Sequence, residues 1–288
     1  MRRRGLILSA ALPALALAAP PPLRVVASFS ILADLIRAIG GPVVAVSSLV
    51  GPDADAHVYQ PSPADARRLA DAQLMVVNGL GFEGWLDRLV QASGFRGTLL
   101  TASVGIQPRR LGREPDPHAW QDLGMVQRYV KTLTAALIDM RLDDQQALRA
   151  RADAYLGQLQ SMDAALRKRL DRLSREQRRV VTSHDAFGYF GDAYGVDFLS
   201  AQGMSTNSEP SASAVARLIQ QIRRQQVRAV FVENISDPRL IERIAREGGV
   251  RVGGRLYSDA LSGPSGPAAT FLQLFAHNAE AICTALGV

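Results

Sequence analysis

The stretch LDDQQALRARADAYLGQLQSMDAALRKRLDRLSREQ, Leu142 to Gln177, decides how this chain is organised. Leu148, Ala152, Tyr155, Leu159, Met162, Leu166, Leu170 and Leu173 recur at steps of three and four, the spacing of one helix face. No proline interrupts the stretch, and Gly157 is its only glycine. Thirty-odd residues of helix would span roughly 45–50 Å at about 1.5 Å per residue. A bundle helix or a coiled coil gives the same stripe, so the flanking sequence has to arbitrate.

Working outward, both flanks alternate short β-like runs with helical patterns. On the N-terminal side, strands are predicted at Leu23–Ala27, Val43–Val50, Leu74–Val77 and Thr98–Leu100. Helices are predicted at Ile31–Ile39, Ala64–Ala70 and Gly84–Ala92, the second opened by Ser62 as N-cap and Pro63 at the first helical position. On the C-terminal side, strands are predicted at Arg179–Thr182, Val196–Ser200, Arg228–Val232 and Val250–Val252. The helices between and after them are Ala186–Ala193, Ser211–Gln225, Asp237-Pro238 to about Arg246, and about Pro267 to Leu286. Strand–helix alternation of this kind builds parallel sheets with crossover helices. The fold class is therefore α/β: two lobes, each a parallel sheet with flanking helices, joined by one long rigid helix. The expected division is 1–18 as a leader, 23–141 as the first lobe, 142–177 as the linking helix and 178–288 as the second lobe. A helix in that position acts as a spine that restricts hinge opening, unlike a flexible linker.

Residues 1–18 read as a signal peptide. Arg2, Arg3 and Arg4 form a basic start, Gly5–Leu17 is apolar, and Ala16-Leu17-Ala18 fits a small-x-small cleavage site. The apolar run falls short of the roughly 20 residues that span a bilayer. No cysteine stands near the cleavage point to carry a lipid anchor, so the expectation is a free, soluble, periplasmic protein. Losing the leader lowers the formal charge from +6 to +3, and the remaining arginines are scattered, which argues against a nucleic-acid partner. The one cysteine, Cys283, cannot form an internal disulfide and reads as a buried small hydrophobe.

Three of the four histidines share a context. His57 lies in Gly51-Pro52-Asp53-Ala54-Asp55-Ala56-His57-Val58-Tyr59, a turn-rich loop between a strand and a helix. His118 lies in Asp116-Pro117-His118-Ala119-Trp120, just before a helix, and His184 in Ser183-His184-Asp185 directly after a strand. Asp259 follows the last strand in Leu256-Tyr257-Ser258-Asp259-Ala260-Leu261. Loops at the carboxyl ends of parallel strands are where α/β folds bind ligands. Separations of 61, 66 and 75 residues exclude a local zinc finger and require two facing lobes. Three imidazoles and one carboxylate suit Zn²⁺ and similar ions, and four protein ligands close a tetrahedral site. A loop histidine is also commonly plain polar surface, and the pattern alone leaves that alternative open.

These segments, with Ser183-His184-Asp185-Ala186-Phe187-Gly188-Tyr189-Phe190 and Glu209-Pro210-Ser211, resemble the zinc- and manganese-specific solute-binding proteins of ABC transporters over essentially all of the mature chain. The resemblance implies His57, His118, His184 and Asp259 as ligands of one metal ion buried between the lobes. It also implies a periplasmic monomer that hands its cargo to the membrane permease of an ABC importer, and no enzymatic activity. Manganese-type relatives generally carry Glu at the third ligand position. His184 there favours Zn²⁺, with Mn²⁺ as the alternative. Many zinc-type relatives carry a long His- and acid-rich loop before the second histidine. Here that stretch is the short Ile106–Asp116, containing Arg109, Arg110 and Arg113, so any metal-gathering role for it is missing or altered. A secreted zinc hydrolase is disfavoured because four protein ligands leave no position for water. A surface adhesin is disfavoured by the lack of an anchor cysteine.

Around the candidate ligands, Asp53, Asp55, Asp116, Asp185 and Glu233 are either acceptors for imidazole N–H groups or turn and cap formers. Trp120, Tyr59, Phe187 and Tyr189 are expected to wall the site or to pack as core. Glu209 reads as a loop residue, and His277 as structural within the last helix.

Overall fold

The computed structural model describes residues 20–288, so the signal-peptide reading of residues 1–18 lies outside the described residues. The first lobe runs β1 (Leu23–Phe29), α1 (Ser30–Gly40), β2 (Val44–Val50), α2 (Pro63–Ala70), β3 (Leu74–Val77), α3 (Leu86–Ser93) and β4 (Thr98–Thr101). A small hairpin follows, β5 (Arg110–Leu111) and β6 (Glu114–Pro115), then α4 (Leu123–Met140). The spine is α5 (Gln145–Leu170). The second lobe runs β7 (Arg179–Thr182), α6 (Gly188–Tyr194), β8 (Asp197–Ser200), α7 (Ala212–Gln225), β9 (Ala229–Glu233), α8 (Pro238–Gly248), β10 (Val252–Leu256) and α9 (Phe271–Leu286).

The two main sheets are parallel and ordered β2-β1-β3-β4 and β10-β9-β7-β8. Read from the opposite edge, the second is also second-first-third-fourth, so both lobes have one topology although no sequence repeat relates them. In each, the order reverses beside the first strand, and crevices at that point of an open α/β sheet collect ligands. Central strands read as continuous apolar runs because helices cover both faces: every residue of β9 is buried, and every residue of β1 except Arg24. Helix starts follow their local chemistry. Ser62 and Asp65 form a reciprocal capping box with Pro63 at the first position, and Thr270 and Gln273 do the same for α9.

The spine is shorter than its apolar stripe. Helical geometry covers Gln145–Leu170, 26 residues or about 39 Å, rather than Leu142–Gln177. At its start, Leu142–Asp144 forms a 3₁₀ turn. At its end the chain leaves the helix at Asp171, and Ser174 caps a separate 3₁₀ turn with Gln177. Leu173 still packs against the core from outside the helix, which is why the stripe overruns it. Both ends of α5 are tied down. Arg151 donates to Ile39 O (2.6 Å) and Gly40 O (2.8 Å), satisfying carbonyls at the end of α1. Arg167 donates to Ala193 O (2.6 Å) and Arg169 to Val288 O (2.8 Å) in the second lobe. One hydrophobic core runs from β1 and α1 through α4 and α5 to Phe190, Phe231 and Phe275, so the lobes share it. A smaller core lies between the second sheet and helices α7 and α8.

The last strand also differs from expectation, at Val252–Leu256 instead of Val250–Val252. Val250 N donates to Ala245 O and completes the turn after α8. The strand itself is hidden from pattern reading by Gly253 and Gly254 at an irregularity in its pairing with β9. A Cβ on Gly253 would come within 2.6 Å of the Phe231 ring, so the ring occupies the space a side chain would fill. Among the described residues no helix is long and apolar enough to cross a membrane.

Candidate metal centre

All four candidate side chains lie in loops at the carboxyl ends of strands, and the fold brings them together. His57 follows β2, His118 follows the β5–β6 hairpin, His184 follows β7 and Asp259 follows β10. One nitrogen or oxygen from each falls within 4.8 Å of all the others. His57 Nε2 lies 3.3 Å from His118 Nε2 and 3.2 Å from Asp259 Oδ2. His184 Nε2 lies 3.1 Å from Asp259 Oδ2, and His118 Nε2 lies 3.8 Å from Asp259 Oδ1. Four ligand atoms about 2.0–2.1 Å from a tetrahedral ion stand about 3.3–3.4 Å apart, which three of these separations approach. His118, His184 and Asp259 are fully buried, and the His57 imidazole is 5% exposed. Asp259 Oδ1 is buried without a hydrogen-bonding partner, a costly arrangement unless a cation takes its lone pairs.

The far sides of two imidazoles are held by carboxylates. Asp116 Oδ1 accepts from His118 Nδ1 (2.8 Å) and from His118 N (3.0 Å). Glu233 Oε2 lies 2.6 Å from His184 Nδ1, and its Oε1 accepts from His184 N (2.9 Å). Such contacts direct Nε2 toward the centre and raise its basicity. Asp53 and Asp55 do different work. Asp53 has a left-handed backbone (φ 52°), and its carboxylate accepts from Asn234 Nδ2 (3.0 Å) and Gly263 N (3.2 Å) of the second lobe. Asp55 accepts from His57 N (2.9 Å) and from Thr206 Oγ1 (2.6 Å), again across the lobes. Asp185 lines a cavity beside Arg109. Glu209 is an exposed loop residue, and His277 Nε2 contacts Arg255 O (3.0 Å) and is not a member of the cluster.

The electrostatics of the ion-free site follow from these contacts. Burial disfavours a charged His184, but the Glu233 and Asp259 carboxylates outweigh it and hold the imidazole well above its usual range. Burial likewise opposes ionised Asp259, and the His184 and His118 imidazoles override it and hold the carboxyl well below its usual range. A proton on His184 thus compensates part of the negative charge that a cation would neutralise.

Trp120 packs edge-on to His118 with centroids 5.3 Å apart, and its Nε1 donates to Ser258 O (2.8 Å), joining the lobes. Tyr189 reaches the site through its hydroxyl, which donates to Asp116 O (3.1 Å). Phe187 stacks on Phe198 and Tyr59 meets Trp85 edge-on, so these two pack with the core rather than wall the site. Sequence reading missed the loop after β3. There Phe82 packs against His57 at 4.9 Å, Asn78 Nδ2 donates to Pro117 O (2.9 Å), and buried Glu83 accepts from Ser28 Oγ (2.7 Å). Its position after a central strand was the available signal, but Asn78-Gly79-Leu80-Gly81-Phe82-Glu83 holds no histidine to draw attention.

Two lobes of one topology thus close loops of both around a buried three-histidine, one-aspartate cluster with the make-up of a candidate metal centre. The sequence matches the family described as zinc-uptake complex component A, periplasmic, over residues 25–285, and the chain belongs to that family. It is 33% identical over 274 residues to the manganese-binding lipoprotein MntA of Bacillus subtilis (strain 168), covering 92% of this chain and 90% of that protein. It is 33% identical over 273 residues to the zinc-binding protein TroA of Treponema pallidum (strain Nichols), covering 91% and 88%. The solved structure of the periplasmic zinc-binding protein TroA from Treponema pallidum superposes with a TM-score of 0.89 at 30% identity, over 93% of this chain and all of that one. Members of the family are solute-binding proteins rather than enzymes, and they act with ABC transporter permeases.

Proposed function

We propose that this protein captures one Zn²⁺ per chain in the periplasm with His57, His118, His184 and Asp259, and delivers it as a monomer to the permease of an ABC importer. The observation that carries the reading is the convergence of four buried donor atoms at spacings near those of a tetrahedral edge. Three neutral imidazoles suit Zn²⁺. The similarity to a manganese-binding lipoprotein favours Mn²⁺ as the second reading. Four protein ligands leave no open position for a metal-bound water, which argues against hydrolysis. Residues 1–18 act as a cleavable leader. The lobes span 23–141 and 178–288, with the link at 142–177.

The shared core and the arginine ties at both ends of the spine support small lobe motion. Loading orders the loops at 51–61, 114–120 and 255–262 rather than swinging the lobes. An ion-free crystal structure opened by tens of degrees would contradict this.

The test is metal content and thermal shift of leader-free protein, stripped and reloaded with Zn²⁺ or Mn²⁺, beside His184→Ala. The reading predicts one Zn²⁺ per chain and a large upward shift that the variant mostly loses. At a thousandfold excess over Kd the stabilisation is about 4 kcal/mol. A larger shift with Mn²⁺ changes the cargo, and no retained ion with either metal removes the claim.

A further inference from the structure

The shortened loop before His118 carries three arginines, and one of them is built into the site. Arg109 and Asp116 form the base of the β5–β6 hairpin, with Asp116 N donating to Arg109 O (2.8 Å). Arg109 Nη1 donates to Asp116 Oδ2 (3.1 Å), the carboxylate oxygen that His118 does not use. The Nε of the same guanidinium donates to Asp192 Oδ2 (2.8 Å) on α6 of the other lobe. Tyr189, also on α6, accepts from Arg109 N (3.0 Å) while donating to Asp116 O (3.1 Å). Gly188 completes the cradle: a Cβ there would stand 2.1 Å from Arg109 Nη1 and 2.5 Å from its Cζ. Three residues of one short helix thus converge on one arginine, which in turn holds the carboxylate that orients a candidate ligand.

We propose that Arg109 is a positioning residue for the metal site, an inter-lobe clamp that locks Asp116, and through it His118, in the binding orientation and so sets how fast the ion leaves. The inference rests on His118 being a ligand. A planar fork can hold two acceptors on different lobes at once, which a lysine ammonium on a flexible stem cannot do with the same geometry. The carboxylates against the imidazole nitrogens are Asp116, Glu233 and Asp259, and Arg109 contacts the first of them. Any local parting of the hairpin from α6 must break the Arg109–Asp192 pair and the Tyr189 contact to Asp116 O, which couples release to that separation without a swing of the lobes.

The experiment loads the leader-free full-length chain with Zn²⁺ and follows release into excess chelator by stopped flow, for wild type, Arg109→Ala, Arg109→Lys, Gly188→Ala and His118→Ala. The clamp predicts one ion bound in the Arg109 and Gly188 variants, with release about tenfold faster in Arg109→Ala, the lower end for partners that orient metal ligands. Gly188→Ala, which displaces the guanidinium without removing its charge, behaves alike, and Arg109→Lys falls between them and wild type. Release within twofold of wild type in both alanine variants overturns the clamp, as does a lysine variant as fast as Arg109→Ala. If Arg109→Ala fails to fold, Gly188→Ala decides alone. An unloaded wild type, or a His118→Ala protein that binds and releases Zn²⁺ as wild type does, overturns the site assignment itself and the clamp with it.

Discussion

Glu233 Oε2 lies 2.6 Å from His184 Nδ1, and neither side chain meets solvent. With Asp259 on the other side of the ring, this contact raises the basicity of His184. The direction of that shift favours a proton on the ion-free imidazole, which a cation bound at Nε2 would displace.

Zn²⁺ uptake near pH 7 is expected to release about one proton per ion, because a metal-bound imidazole must be deprotonated. Calorimetric titrations in buffers of different ionisation enthalpy read this directly, and a binding enthalpy independent of buffer contradicts it. Affinity keeps rising above pH 6.5, the usual histidine value, because the His184 shift is upward.

The same shifts set the stability of the ion-free protein. A raised His184 stabilises below its unfolded value of about 6.5, and that contribution is lost as pH rises through the folded value. A depressed Asp259 stabilises above about 3.9, and that contribution is lost as pH falls through its folded value. Ion-free protein therefore gains from both between about pH 4 and 6.5, while metal-loaded protein gains toward higher pH. The thermal shift on adding Zn²⁺ grows from pH 5.5 to 8, and a flat profile contradicts the assignment.

Glu233→Gln removes the charge behind His184 and keeps the side-chain shape. The expected result is a loss of Zn²⁺ affinity of about 10- to 100-fold with stoichiometry unchanged, measured by chelator competition. Unaltered affinity would show that Glu233 serves only the backbone N–H of His184.

Asp53 straps the His57 loop to the second lobe from a left-handed backbone position. Asp53→Gly keeps that conformation without strain and deletes only the carboxylate. Zn²⁺ release should quicken, with a stability cost of about 1 kcal/mol from two lost hydrogen bonds of partly exposed groups. A release rate equal to that of wild type would assign Asp53 to turn formation alone.

Gly157 sits in the middle of the spine, and a Cβ added there meets nothing within 4 Å. Gly157→Ala should stabilise the protein by about 0.5–1 kcal/mol, a rise in Tm of about 1–4 °C for a chain of this size. A fall in Tm would mean that α5 bends at this point.

The strand–helix alternation was legible because central strands covered on both faces read as apolar runs, as in β3 and β7, whose limits match expectation. The ends of α5 were not, because Leu173 continues the apolar stripe past the helix into a bend and the absence of Pro or Gly at Leu142–Asp144 hid the 3₁₀ turn there. β10 was obscured where Phe231 requires glycine at 253. The three histidines and Asp259 were readable from strand-end placement and family resemblance, and the structure gathers them. The roles of the neighbouring acids were not: Asp53, Asp55 and Asp116 look alike in sequence, and only the packing of the second lobe separates straps from the imidazole partner. Phe82, Asn78, Glu83 and the fork of Arg109 depend wholly on contacts between distant segments.

The central claim is that four protein atoms close the coordination sphere of one ion. X-ray absorption at the zinc edge of Zn²⁺-loaded protein tests it most directly. Four light-atom ligands at about 2.0–2.1 Å with the scattering signature of three imidazoles are expected. A five- or six-coordinate ion with bound water, or fewer than three imidazoles, would contradict it.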